Sequence, residues 1–160
     1  MIDVIVARAL HVLAVVIWIG GVSMATTVVL SAVRRGDFGE NRWLAFQAIQ
    51  RRFVWQARTA VIVVAATGIY MTARLDLWSR FQSAGFWWMH AMVCVWLLFA
   101  IILFVADPLA RRRRRGHHTP ASARPENDFG RMQRIHWILL VLSLITVFGA
   151  VTGSQGWSVF

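Results

Sequence analysis

Three histidines of this chain, His11, His90 and His136, lie inside long apolar runs. Ionisable groups are costly in hydrocarbon, and where a sequence keeps them there they mark functional positions. A neutral imidazole donates a hydrogen bond through one nitrogen and offers the other to a metal. Two imidazoles at one depth on different helices can therefore clamp a haem b edge-on to a membrane. A softer chemistry competes. Met89, His90, Met92 and Cys94 cluster on one stretch, with Met71 near the end of the preceding run. Thioether, thiolate and imidazole together select Cu(I), although positions 89, 90 and 92 project in different directions from a helix. Each residue also has an ordinary role, the histidine hydrogen-bonded to a neighbouring helix and the methionine as apolar filler. His117 and His118 lie in a polar stretch and read as solvated.

The elements that must position these groups are helices. The chain has 160 residues, 58% of them apolar, with nine tryptophans and the single cysteine Cys94. That composition excludes a disordered chain, a small disulfide scaffold and a soluble nucleic-acid binder. Apolar blocks at about 4–33, 53–73, 86–106 and 132–153 each approach or exceed the roughly 20 residues that cross a bilayer core. They are apolar nearly all round, as spans are and amphipathic soluble helices are not. The first block lacks the basic flank and short core of a cleaved signal peptide, so it reads as a retained helix. The fold class is all-α, an integral membrane four-helix bundle forming one domain over 1–160, with loops at 34–52 and 107–131. Few glycines interrupt the spans, so the helices should be mostly regular. In the first loop, Asn41 can cap an amphipathic stretch whose Trp43, Leu44, Phe46 and Ile49 share one side.

All 17 basic residues are arginine, which sets the net charge at +10. Fourteen lie in or beside the two long loops, among them Arg34, Arg35, Arg51, Arg52, Arg58, the run Arg111–Arg115, Arg124, Arg131 and Arg134. Arg8, Arg74 and Arg80 lie elsewhere. By the positive-inside rule both termini are then periplasmic and both loops cytoplasmic, in a bacterial inner membrane. The Arg111–Arg115 run reads as a topology anchor on anionic headgroups, and nucleic acid is not an expected partner.

With that orientation His11 lies roughly 9 Å into its span at 1.5 Å per residue, and His90 at a similar depth in the third span. Both would then ligate one haem b. Arg8, one turn from His11, and Arg74, at the end of the second span, would hold its propionates. Val15, Trp18, Phe86 and Cys94 would wall the macrocycle, and Gly20-Gly21 would allow close helix approach. His136 falls in the opposite half of the bundle. Its options are a structural hydrogen bond, a second haem shared with Met24 near Ser23 and Thr27, and a proton or quinone site with Arg58 as anion partner. The seven acids lie at span ends or in loops, which leaves no buried carboxylate for acid–base chemistry.

The stretch Ala9-Leu10-His11-Val12-Leu13-Ala14-Val15-Val16-Ile17-Trp18-Ile19-Gly20-Gly21 resembles the opening helix of copper-resistance D (CopD)-like membrane proteins. It is also similar to the related HemJ-type bacterial protoporphyrinogen oxidases. The HemJ-like resemblance implies haem b with His11 as a ligand, and an enzyme that relies on a lysine this chain does not contain. The copper-resistance resemblance implies copper uptake across the inner membrane. The expectation from sequence is thus a b-type cytochrome-like electron-transfer protein, exchanging electrons with a quinone or redox partner protein. If it is an enzyme, it is a haem-dependent membrane oxidoreductase. The alternatives are a copper-handling membrane protein using His11, Met89, His90 and Cys94, and a haem-biosynthesis-related oxidase.

Overall fold

The computed structural model of the protein describes residues 1–39, 42–115 and 126–156, without the side chains of 43, 113–115 and 126–129. The expected cap Asn41, the side chain of Trp43 in the amphipathic stretch, His117, His118 and Arg124 lie outside the described residues. Four long helices and no strand are present among them. Helix α1 runs Ile2–Arg35 and helix α2 runs Arg42–Arg74. Helix α3 covers 87–115, and α4 runs Glu126–Ser154. Each contains a stretch long and apolar enough to cross a membrane.

The elements outgrow the apolar blocks because nothing stops them at the block edges. No Pro or Gly lies between 42 and 67, so the amphipathic stretch and the second span form one continuous helix. α3 likewise continues through the Arg111–Arg115 run. α1 does stop on a residue suited to it: Gly36 takes φ +85°, the left-handed conformation that closes a helix C-terminus. After α2, Asp76 is the turn residue at φ +48°, and two short 3-10 turns, Trp78–Gln82 and Ala84–Phe86, lead into α3.

Two helices depart from the expected regularity. α1 contains a π-helical turn at Ala25–Val29 and α3 one at Ile102–Ala106. The second has a cause in the sequence. Pro108 brings no N–H and crowds the carbonyl four residues back, and a wider turn relieves the crowding.

α1 packs most extensively along α2, and α3 along α4. The core between them holds Trp18, Val22, Ala57, Val61, Val64, Val95, Phe99, Leu103 and Leu140, with Trp18 edge-on to Phe99 at 4.8 Å between centroids. A second cluster of Val29, Leu30, Val33 and Phe46 closes the arginine-rich end. Of Gly20-Gly21, only Gly21 sits at a helix contact, against the Phe53 ring of α2. Trp87 and Trp88 lie against Gly149 and Gly153 of α4 and pin the α3–α4 seam. Ile62, Phe148, Val151 and many other large apolar side chains remain exposed around the bundle, as a lipid-facing surface requires.

Candidate metal-binding site

The helix pairing separates the polar groups into two sets, one toward the end where α1 begins and α4 finishes, the other toward the arginine-rich end. His11 belongs to the first. It lies in the α1–α2 seam, half-buried, with its Nδ1 2.9 Å from Thr67 Oγ1 and its ring beside Gly68, where a Cβ would come within 3.4 Å of Cε1. The Thr67 hydroxyl donates to the Val63 carbonyl at 2.6 Å.

His90 has a different environment. It is exposed on α3, edge-on to the Phe81 ring, with its Nε2–H donating to the Phe81 carbonyl at 3.0 Å. The two imidazoles are thus engaged by different elements, His11 by α2 and His90 by the turn preceding α3. The bundle does not present them as a facing pair.

The arginines expected beside a haem are also differently disposed. Arg74 donates through Nε and Nη2 to Asp3 Oδ2, each at 3.2 Å, and the same oxygen accepts from Tyr70 at 2.7 Å. The N-terminal ammonium pairs with the other oxygen at 2.8 Å. This cluster ties the first turn of α1 to the last turns of α2. Arg8 is exposed and has no partner among the described residues. Between the Asp3 cluster and Thr67, an open groove of about 340 Å³ runs along Val6, Ala7, Leu10, Ala66 and Tyr70.

The soft donors of α3 divide by face. Met89 is buried and Met92 half-buried, whereas His90 and Cys94, one turn apart, are both exposed. On α2, Met71 is half-buried, one turn beyond Thr67. Among the described residues no three His, Cys, Asp or Glu side chains gather as a ligand set; thioethers are the remaining donors.

At the arginine-rich end, His136 donates from Nδ1 to the Met132 carbonyl of its own helix at 2.9 Å. Met24 is 58% exposed, and the Thr27 hydroxyl donates to the Ser23 carbonyl of its own helix. Arg58 has another task. In the π turn of α3 the Asp107 N–H bonds the Ile102 carbonyl, which strips Leu103 of its usual donor, and the next candidate, Pro108, has no N–H. Arg58 supplies the missing donors, Nε at 3.1 Å and Nη2 at 2.8 Å, and pairs with Asp107 at 3.3 Å. Asp107 also holds Arg111 at 2.9 Å. The π turn of α1 repeats the pattern. Leu30 N–H bonds Ala25, and the skipped Thr26 carbonyl accepts from Gln133 Nε2 at 3.5 Å. Gln133, 8% exposed, also donates to Ser31 Oγ at 3.0 Å and accepts from Arg34 at 2.6 Å.

Thr67 and Gln133 are the polar residues that sequence reasoning passed over. Thr67 carries no signal of its own, because threonine is common in spans. Gln133 does: an uncharged amide at the mouth of an apolar run needs partners. One further group stands out. Trp18 Nε1 is buried with no acceptor among the described residues, two turns from His11 along α1.

Comparison with known proteins adds one finding. A family model described as copper resistance protein D (CopD) matches residues 47–151. The match takes in most of α2, all of the described part of α3 and nearly all of α4, and it omits α1 with His11. No curated protein and no solved structure gives a match.

Proposed function

The chain belongs to the copper resistance protein D family, and on that footing we propose that it is a multi-pass membrane protein that binds copper ions and passes them through the half of the bundle where α1 begins. The observation that carries the reading is the family match, which covers well over half of the chain. The donor chemistry agrees with it. His11 in the α1–α2 seam, Met71 on α2 and Met89 and Met92 on α3 are an imidazole and three thioethers, none of them fully exposed. Such donors suit Cu(I), which soft ligands bind without needing a carboxylate. An open, mainly apolar groove runs from Asp3 to Thr67, the residue beside His11 Nδ1. His90 and Cys94, on the outward face, form a secondary pair in this reading.

The haem b reading gains nothing from the geometry. His11 and His90 are engaged separately, Arg74 is held by Asp3, and the His136 nitrogen Nδ1 bonds its own helix. The matched family is described by copper, not haem.

The test is metal binding by the purified protein in lipid nanodiscs. Under reducing conditions it should retain Cu(I) against a chromogenic chelator, and His11→Ala or a Met89→Leu/Met92→Leu double variant should weaken retention by about 10-fold or more. Absence of copper above empty nanodiscs, together with a sharp reduced α-band of six-coordinate haem, would overturn the copper reading in favour of haem.

A further inference from the structure

We propose that Thr67 is a positioning residue that fixes the tautomer of His11, so that Nε2 is the nitrogen held bare for a soft metal ion. The inference deepens the copper reading and rests on it for the identity of the ion; the tautomer itself rests on geometry alone. A hydroxyl has one hydrogen and two acceptor lone pairs. The Thr67 hydroxyl lies 2.6 Å from the Val63 carbonyl of its own helix, with the Val64 carbonyl 3.3 Å away as the alternative acceptor. With its hydrogen directed there, Thr67 Oγ1 offers His11 Nδ1, at 2.9 Å, a lone pair, and the Val64 carbonyl is a further hydrogen-bond partner of the ring. In that arrangement Nδ1 carries the proton. A neutral imidazole has only one, so Nε2 is left as an acceptor. A chain of donation follows, from Nδ1–H to hydroxyl to main-chain carbonyl, and each link polarises the next. This is how an outer group fixes the tautomer and orientation of a metal-binding histidine.

Gly68 is part of the device. A Cβ built there would sit 3.4 Å from His11 Cε1 and 3.8 Å from Nδ1, so the glycine already brings the ring into van der Waals range of the α2 backbone. The α1–α2 seam therefore supplies both the hydrogen-bond partner and a close neighbour for the ring.

The experiment separates this from the copper reading by using two readouts. In metal-free protein in nanodiscs, labelled with ¹⁵N-histidine and assigned by the His11→Ala difference, His11 should show a protonated Nδ1 and a bare Nε2. Thr67→Val, which keeps the shape and removes the oxygen, should move His11 toward the other tautomer or a mixture and weaken Cu(I) retention about 10-fold. Thr67→Ser should restore both. A wild-type spectrum with the proton on Nε2 overturns the proposal even if Thr67→Val fails to fold. So does a Thr67→Val protein whose His11 spectrum is unchanged. If the tautomer behaves as stated while His11→Ala retains copper fully, the tautomer assignment stands and His11 leaves the copper site.

Discussion

Arg58 reaches the Leu103 carbonyl with two nitrogens because no backbone donor remains for that oxygen. An unpaired carbonyl inside a membrane protein costs several kcal/mol, since lipid offers no replacement. Arg58→Leu should therefore destabilise the bundle by about 2–3 kcal/mol in detergent-denaturant titration, more than a surface arginine such as Arg35 would. Gln133 is the second residue of this kind, linking α4 to Thr26, Ser31 and Arg34 of α1. Gln133→Leu should cost about 1–3 kcal/mol by the same measurement, because three polar groups lose their partner at once. The histidines illustrate the limit of reading at this scale. That His11, His90 and His136 need partners was legible from their setting in apolar runs. Which partners they take, Thr67, Phe81 and Met132, was not.

At the scale of the helix, lengths follow from the absence of breakers and packing follows from rotation. α2 runs unbroken for 33 residues through a charged stretch and an apolar one, an outcome already implied by the lack of Pro and Gly. The π turn at Ile102–Ala106 was legible in principle too, since Pro108 lies inside a helical pattern. Its latch was not, because Arg58 is 45 residues away in sequence. Seam packing gives a direct prediction. Gly21 accepts the Phe53 ring, so Gly21→Leu should disturb the α1–α2 seam and cost about 1–3 kcal/mol. Adding Phe53→Ala should recover part of that loss, whereas Gly20→Leu, which faces open space, should leave stability nearly unchanged in the same titration.

The whole molecule is a four-helix membrane bundle in which α1 begins and α4 finishes at one end, with the arginine-rich helix ends at the other. Its exposed apolar belt predicts that the protein stays with the membrane pellet after alkaline carbonate extraction and enters solution only with detergent. The arginine distribution carries a separate expectation about direction. Periplasm-active reporters fused after residue 160 should be active, and the same reporters inserted at Gly36 should be silent; the reverse pattern would invert the assignment of both loops to the cytoplasm.

Number and class of the spans were determined by the sequence itself, because hydropathy is summed along the chain and needs no knowledge of neighbours. The separation of arginines into two loops is of the same kind. Helix rotation belongs to the tertiary structure. In a membrane the core face and the lipid face are both apolar, so the polarity pattern that orients a soluble helix is missing. Depth counted in residues can set His11 and His90 at one level, but it says nothing about which way either ring points. Packing decided that: Gly68 and Thr67 receive His11 in the α1–α2 seam, while the seating of Trp87 and Trp88 on α4 goes with a rotation of α3 that carries His90 to the outside.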